Sequence, residues 1–469
     1  MAVSLQRHPV PFARRAHRIA ALGALTALAA AAGCASARPA PGAPAPVPAA
    51  PPPADAAPSA AVAAVSRDSA RVTATPRRPA AATVTARPAP DATAPASARS
   101  AGRRASGGPL PTARVSARND TLIVRTLRAP VRVCAGGDVT LGTNLDREWS
   151  RAASRRMRTA FGQGDDPASL LAPLSPLVRG SDVLLLNVES AVGEGATPSK
   201  CGPRSTNCFA FRSPAAAAPA LRALTDAVVV GNIANNHARD AGTAGVDSTV
   251  AVLTRAGVLV TGADTLATPV VTPAGDTIGI LGFYTSSDTP DARDTAVVRR
   301  HVARAAARYP VVVATMHLGA EGVGAQRTLD QEELFLRIDR GNPVAFADAA
   351  VRGGAALVIG HGPHVLRGME WRPGGALIAY SMGNLLTYGP FVLREPLNRG
   401  ALLCSTIGPD GRVRSATLRP TLQRAVGLVR EDPSRRAAAL VDSLSRLDFP
   451  VTGVTVGRDG VIRPHGAAP

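Results

Sequence analysis

The sequence predicts an α/β protein built on a largely parallel β-sheet. Short apolar runs rich in Val, Ile and Leu alternate with longer amphipathic stretches. This alternation indicates βαβ units, in which helices cover the faces of a buried sheet. Polar side chains recur directly after the apolar runs. Because ligands bind beyond the carboxyl ends of parallel strands, the sequence predicts a functional site at that edge.

The apolar runs predict nine strands, and two amphipathic stretches predict helices. One helix is expected at 243–257, where Gly257 suits a helix end, and the other at 343–355. Residues 369–380 predict a hairpin around "RPGG". The predicted strands are 131–136, 182–188, 226–232, 258–262, 277–284, 309–317, 355–361, 375–381 and 400–406.

The N-terminus has the pattern of an export signal. Residues 7–18 are basic, and residues 19–32 form an apolar segment too short for a typical transmembrane helix. The segment ends in "AAGC", which resembles the lipobox of bacterial lipoproteins and predicts lipidation of Cys34. Ala31 replaces the usual leucine, so an ordinary cleaved secretory signal is the alternative. Residues 1–34 are therefore predicted to be a signal peptide that delivers a lipid-anchored protein to the cell envelope, outside the cytoplasmic membrane.

Composition divides the rest of the chain. Residues 35–115 are rich in Ala, Pro and Arg and are expected to form a disordered tether. Residues 116–410 are predicted to be the α/β domain, and residues 411–469 a C-terminal extension. The net charge is +19, much of it before residue 116, and aromatic residues are 3% of the chain. This balance favours an anionic polymer or lipid surface as partner and disfavours nucleic acid.

Four cysteines follow Cys34. Cys134 and Cys404 lie in apolar runs and are expected to be buried thiols. Cys201 and Cys208 bracket a polar loop, and in an exported protein they are the expected disulfide pair. A zinc knuckle is the alternative, but no second pair of ligands lies nearby.

Strand ends carry most of the candidate metal ligands. Four of the eight histidines fall just past an apolar run. Imidazole, carboxylate and carboxamide together suit one or two divalent ions of Mn, Fe or Zn. Each residue alone has an ordinary explanation, such as a turn or a helix cap, but a shared metal centre explains them together. The candidates are Asp138, Asn187, Glu189, Asn232, Asn235, Asn236, His237, His317, His361 and His364, with Asp240 following His237 by three residues.

A series of motifs resembles a known family. "GGDVTLG", "NVESAVG", "NNHARDAG", "MHLGAE", "GHGPHVLRGMEW" and "YSMGN" occur in the order typical of the bacterial capsule-synthesis family CapA (PGA-cap), over about residues 130 to 408. That family has the calcineurin-like metallophosphoesterase fold. The resemblance implies a four-layer αββα sandwich of the metallo-dependent phosphatase type.

The resemblance also implies roles for individual residues. The implied metal ligands are Asp138, Glu189, Asn236, His317, His361 and His364. His237 would protonate the leaving oxygen as general acid. Asn235 would shape the turn. Two departures from the phosphoesterase pattern put hydrolysis in doubt: Thr140 stands where a histidine is usual, and "HGPH" spaces the last two histidines by one residue more than usual.

The expected function is therefore capsule or poly-γ-glutamate biosynthesis at the cell envelope, with an anionic polymer or phosphate ester as ligand and a capsule synthase complex as partner. Two alternatives remain. One is a metal-dependent phosphoesterase of the envelope that is unrelated to capsule. The other is a polymer-binding scaffold with a vestigial site.

Overall fold

The computed structural model of the protein describes residues 126–142, 147–193, 201, 208–286 and 290–466. The predicted signal peptide, the tether and Cys34 lie outside the described residues. Every helix within them is too short or too polar to cross a bilayer.

The described residues form twenty β-strands. The strands are β1 (Val131–Leu141), β2 (Val183–Val188), β3 (Ala191–Val192), β4 (Arg212–Ser213), β5 (Val228–Asn232), β6 (Leu259–Thr261), β7 (Thr268–Val271), β8 (Thr277–Tyr284), β9 (Val312–His317), β10 (Leu334–Phe335), β11 (Ile338–Asp339), β12 (Leu357–His361), β13 (Met369–Trp371), β14 (Leu377–Ala379), β15 (Asn384–Tyr388), β16 (Arg399–Ile407), β17 (Val413–Ala425), β18 (Leu428–Glu431), β19 (Val454–Val456) and β20 (Val461–Pro464).

Helices connect many of these strands and begin at sequence features that suit a helix start. Asn342 accepts hydrogen bonds from two backbone amides of the helix that follows it, and Asp294 caps another helix in the same way. The helices are α1 (Arg147–Phe161), α2 (Pro167–Leu171), α3 (Ser175–Val178), α4 (Ala217–Arg222), α5 (Gly242–Arg255), α6 (Thr295–Ala306), α7 (Pro343–Arg352) and α8 (Arg436–Asp448).

Two sheets form the centre of the fold. The larger has ten strands in the order β19-β20-β17-β16-β1-β2-β5-β6, with β15 beside β1 and β18 beside β17. The smaller has six strands in the order β13-β14-β12-β9-β8-β7. Strands β1, β2, β5, β6 and β15 are parallel, as are β8, β9, β12 and β14. The nine predicted strands and the hairpin all occur, with ends shifted by a few residues.

Three buried clusters define the layers. Val133 and Leu185 of the larger sheet share one cluster with Ile280 and Val313 of the smaller sheet, so the two sheets face each other. A second cluster joins the other face of the larger sheet to α1, α2, α4 and α5. A third joins the smaller sheet to α6 and α7. The predicted αββα sandwich is therefore confirmed.

The C-terminal extension is part of the larger sheet. Strand β17 pairs with β16 along nearly its whole length, and β18 and β20 pair with β17. Helix α8 contributes Ala437, Ala438 and Val441 to the cluster between the sheets. Residues beyond 410 thus complete the core of the described unit.

The prediction of free thiols at Cys134 and Cys404 is wrong. The two residues are paired in register on antiparallel strands β1 and β16, and their sulfur atoms form a disulfide. Both are buried, as expected. The sequence did not suggest the pairing because 270 residues separate the two cysteines. Cys201 and Cys208, the pair expected from the sequence, are also disulfide-bonded, with a Cα–Cα distance of 5.4 Å.

Candidate metal centre

Strand register brings the polar strand ends together. In the larger sheet Asp138 of β1 lies beside Asn187 of β2, which lies beside Asn232 of β5. In the smaller sheet His317 of β9 lies beside His361 of β12. All five are buried, at the end of the sandwich where the parallel strands terminate.

Backbone geometry at β1 depends on a glycine. A Cβ atom at Gly137 would lie 2.0 Å from the carbonyl oxygen of Gly383. Without a side chain there, the two segments approach closely enough for the Asp138 amide to donate to that oxygen, at 2.9 Å. The same glycine adjoins the register shift between β1 and β2. Gly137 therefore allows the close backbone contact that directs the Asp138 side chain into the site.

Asp138 and Asn187 form a hydrogen-bonded pair on neighbouring strands of the larger sheet. Asn187 Nδ2 donates to Asp138 Oδ1 at 2.8 Å and lies 3.4 Å from His317 Nδ1. Asn187 Oδ1 accepts hydrogen bonds from Asn232 at 3.0 Å and from Asn235 at 3.1 Å. These contacts fix the direction of the Asp138 carboxylate, as outer partners commonly do for a metal ligand.

Three side chains offer ligand atoms within 4.8 Å of one another: Asp138, Glu189 and His364. His364 Nδ1 lies 3.0 Å from Asp138 Oδ2, and His364 Nε2 lies 3.7 Å from Glu189 Oε1. Two further histidines border this group. His361 Nδ1 lies 3.5 Å from Asp138 Oδ1, and His317 Nε2 lies 3.7 Å from Glu189 Oε1. We call these residues, together with Asn187, the strand-end site.

The donor set fits a divalent metal ion. Neither ring nitrogen of His361 has a hydrogen-bond partner among the described residues, although the side chain is fully buried. His317 Nε2 and Glu189 Oε1 are likewise buried and have no hydrogen-bond partner in the described part of the chain. Buried polar atoms without partners cost folding free energy, and a cation at this position could bind Glu189 Oε1 and one nitrogen of each histidine. Mixed nitrogen and oxygen ligands suit Mn, Fe or Zn.

His364 adopts a backbone conformation that supports a functional role. Its φ is +59°, in the left-handed region that residues other than glycine rarely adopt. Asn384 Nδ2 donates to the His364 carbonyl at 3.2 Å and so holds this loop in place. Such outliers persist where the surroundings impose them, and they concentrate at functional sites.

Charges in the metal-free site are strongly perturbed. Burial disfavours the charged form of Asp138, but its interactions with His361 and His364 outweigh burial and lower its pKa. Burial and the nearby Asp138 carboxylate raise the pKa of Glu189 well above its usual range. Burial opposes protonation of His364, yet Glu189 and Asp138 together raise its pKa to about 10. Burial and the positive charge of Arg340 lower the pKa of His317. Without a metal, a proton on His364 therefore balances the carboxylates.

His237 belongs to a neighbouring group. Its Nδ1 lies 2.5 Å from Asp240 Oδ2, which also accepts a hydrogen bond from the Phe211 amide at 2.7 Å. The His237 and Phe211 rings pack 4.6 Å apart. Asn235 connects the two groups, because its Oδ1 accepts from the His237 amide while its Nδ2 donates to Asn187. Asn235 thus shapes the turn in the way expected from the sequence.

Asn236 lies between Asn235 and His237 in the chain. It is half-buried and lines a small cleft with Tyr284 and Ser286. Its role as a metal ligand stays a prediction.

Sequence reasoning missed two charged residues at the site. Glu321 Oε2 lies 3.8 Å from His364 Nε2, and Glu321 Oε1 forms an ion pair with Arg340 at 2.9 Å. The Arg340 side chain is only 5% exposed and lies beside the Tyr284 ring. Glu321 falls within the motif "MHLGAE", which was the available signal. Arg340 follows the hairpin of β10 and β11 and has no sequence signal of its own.

Several solved structures show a distant likeness to the chain. One of them is the crystal structure of a 5'-nucleotidase precursor from Thermus thermophilus, similar at 14% sequence identity and a TM-score of 0.32, over 69% of this chain and 59% of that one. This likeness is too weak to support an argument about function, and the chain spans under two thirds of that structure's length. No curated protein matches the chain.

A family model matches more than half of the chain. The model is the bacterial capsule synthesis protein PGA_cap, and the match covers residues 132–388. This range contains every residue of the strand-end site, together with His237 and Asp240. The chain therefore belongs to the PGA_cap family of bacterial capsule synthesis proteins.

Proposed function

We propose that this protein acts at the cell envelope in the biosynthesis of poly-γ-glutamate or a similar anionic capsule polymer, and that its strand-end site is a metal-dependent phosphoesterase centre. One observation carries the second part: buried imidazole and carboxylate atoms lack partners in the described chain and face each other within a few ångströms. Membership of the PGA_cap family supports the first part.

The strand-end site would hold the metal through Asp138, Glu189, His317, His361 and His364. A bound divalent ion would act as a Lewis acid and polarise a phosphoryl oxygen of the substrate. Asn187 keeps the Asp138 carboxylate in place through its 2.8 Å hydrogen bond. Asn236 is a further ligand in this proposal, as the family resemblance implies.

His237 would donate a proton to the leaving group of the substrate. Asp240 holds its Nδ1 at 2.5 Å, and this contact favours the tautomer or cation that carries a proton on that nitrogen. In the cation both ring nitrogens carry a proton, and the proton on Nε2 would pass to the leaving oxygen of the substrate. The Phe211 ring, 4.6 Å away, restricts rotation of the imidazole. His237 is thus oriented by two neighbours, as a general acid should be.

Arg340 would add positive charge for an anionic substrate. Its side chain is buried beside Glu321 and Tyr284 and lies close enough to lower the pKa of His317. Since it pairs with Glu321 rather than with Asp138 or Glu189, it does not replace the metal.

A binding role without hydrolysis is the second candidate. Thr140 stands where phosphoesterases usually place a metal-binding histidine, and its hydroxyl lies 3.4 Å from the backbone oxygen of Glu189. A position that lacks this ligand favours one metal over two. A one-metal site that binds polymer without cleaving it would explain this departure.

Elemental analysis combined with a phosphodiester assay tests the proposal. Purified protein should contain Mn, Fe or Zn, and it should hydrolyse a generic phosphodiester at a rate that falls on chelation and recovers when metal is returned. Bound metal without hydrolysis, together with loss of capsule in a deletion strain, would favour the binding role. A protein that takes up no metal would contradict both.

A further inference from the structure

The C-terminal part of the fold contains a groove lined by arginines. Its volume is about 1130 Å³, larger than most small-molecule pockets. Strands β17 and β18, the start of α8 and the β19–β20 turn line most of it, and α3 with the residue that follows it contributes the rest. The groove arginines are Arg179, Arg419, Arg424, Arg430, Arg435 and Arg458.

These six arginines form no ion pair with any carboxylate that the structure describes. Two of them bind neutral groups instead: Arg419 donates to the Leu177 carbonyl, and Arg430 donates to the Gln163 side chain at 3.0 Å. Some surface arginines elsewhere are paired with acids, as in Arg414 with Asp410 and Arg446 with Asp442. The groove differs in that six arginines without such a partner line one cavity.

Three acids line the groove, but they do not neutralise it. Asp432 is fully buried and forms an ion pair with Arg399 at 2.6 Å. Asp459 accepts a hydrogen bond from the Val461 amide, as a turn residue does. Glu431 is the one other acid among the lining residues, against six arginines. Burial, and after it the positive charge of Arg132, lower the pKa of Arg419, while Glu431 acts in the opposite direction.

The shape and lining of the groove identify the ligand class. We propose that the arginine groove binds a flexible linear polyanion, with closely spaced carboxylates or phosphates, at a site separate from the strand-end site. Its volume of about 1130 Å³ suits a chain better than a single small anion, and guanidinium groups bind both carboxylates and phosphates. No aromatic residue is among those lining it, so bases would have no surface on which to stack. This inference does not rest on the proposed hydrolysis.

Direct binding measurements test the groove. Full-length protein in excess chelator is titrated into fluorescent poly-glutamate, polyphosphate or oligo-dT while the salt concentration is varied. The triple variant R179A/R424A/R458A should bind at least about tenfold more weakly, with a salt slope smaller by about two. The triple variant R255A/R299A/R300A loses the same charge from α5 and α6 and should bind like the wild type.

Each result decides the question. Binding of poly-glutamate or polyphosphate that falls only in the groove variant supports the proposal, and the tighter of the two identifies the anion. Equal losses in both triple variants would show a general charge effect and overturn it. So would no binding at moderate salt, or preferred binding of oligo-dT. The single change R424E, with an unchanged melting temperature, repeats the test in case the triple variant folds poorly. Because the chelator removes metal, failure of the strand-end site cannot mimic these outcomes.

Discussion

His361 is the residue whose surroundings most require a metal. Its ring is fully buried, and neither nitrogen has a hydrogen-bond partner among the described residues. Asp138 is close but, at 3.5 Å, beyond good hydrogen-bond distance. A buried imidazole in this state is unfavourable in the metal-free protein and favourable once a cation is bound. The metal and the fold should therefore be thermodynamically linked through this residue.

His361→Ala should abolish metal-dependent stabilisation. Wild-type protein should gain about 2.7 kcal/mol of unfolding free energy at a metal concentration about 100 times the Kd. The variant should gain little, and its metal content after dialysis should fall. Thermal melts with and without Mn²⁺, together with elemental analysis, measure both effects. His301→Ala is the matched control, because His301 lies on α6 and bonds to the Thr265 carbonyl. A variant that keeps full metal-dependent stabilisation would exclude His361 as a ligand.

His237→Asn separates acid catalysis from metal binding. The change should leave metal content and melting temperature nearly unaltered, because His237 packs against Asp240 and Phe211. Phosphodiester hydrolysis should fall by roughly two to four orders of magnitude, the usual contribution of a positioned proton donor. Asp240→Asn should give a smaller loss. If His237→Asn loses its metal instead, His237 is a ligand. If the site only binds polymer, capsule formation should survive the change.

The raised pKa of His364 predicts two opposite trends with pH. As pH rises, the affinity of the protein for metal should increase, and the stability of the protein without metal should decrease. The folded pKa, about 10, lies above the ordinary value of 6.5. The stabilisation from this proton is thus fully present below pH 6.5 and is lost as pH rises towards 10. Metal binding must displace the same proton, so affinity should rise over the same interval. Melts of chelated protein and calorimetry in buffers of different ionisation enthalpy measure the two trends. Metal affinity that is flat from about pH 6.5 to about pH 9 would contradict this assignment.

Most of the strand-end site was predictable, since parallel strands end at one edge and place their terminal side chains together. Asp138, Glu189, His317 and His361 follow apolar runs in the sequence. Glu321 and Arg340 were not predictable in the same way, because they lie in loops after β9 and β11 and reach the site only through tertiary packing. Pattern reasoning finds residues that secondary structure positions, and it misses those that loops bring in.

At the scale of secondary-structure elements, most of the central strands were predicted, whereas β15 and the C-terminal strands were not. Buried parallel strands such as β2 and β9 are continuous apolar runs. By contrast, β17 alternates buried and exposed residues and carries several polar side chains, since one face of an antiparallel edge region meets solvent. Its length and its partner β16 became clear only in the structure.

The disulfide between β1 and β16 should stabilise the larger sheet. It closes a loop of 270 residues, so by chain entropy its loss should cost about 2 to 5 kcal/mol. Cys134→Ala with Cys404→Ala should therefore lower the melting temperature under non-reducing conditions, and reductant should then have less effect on the variant than on the wild type. A protein of residues 116–469, denatured without reductant and assayed for thiols, should contain no free thiol. Two free thiols there would contradict the pairing.

At the scale of the whole molecule, we propose that the protein is exported and lipid-anchored. The sequence begins with a basic segment, an apolar segment and a lipobox-like cysteine. The folded part contains two disulfides, which persist in oxidising compartments outside the cytoplasm. A protein that handles an envelope polymer with both a metal site and an arginine groove would gain from a fixed position beside the membrane.

Cys34→Ala tests this placement. If Cys34 is lipidated, the wild-type protein should fractionate with membranes, and the variant should move to the soluble exported fraction when its signal is cleaved elsewhere. One acyl chain binds membranes only weakly, whereas several chains anchor stably, so the shift should be nearly complete. Cys201→Ala is the matched control, since it removes a cysteine of the folded part without altering the signal. A variant that stays in the membrane fraction would show that the apolar segment remains uncleaved and anchors the chain itself. Incorporation of labelled fatty acid distinguishes that case, because an uncleaved anchor carries no label in either protein.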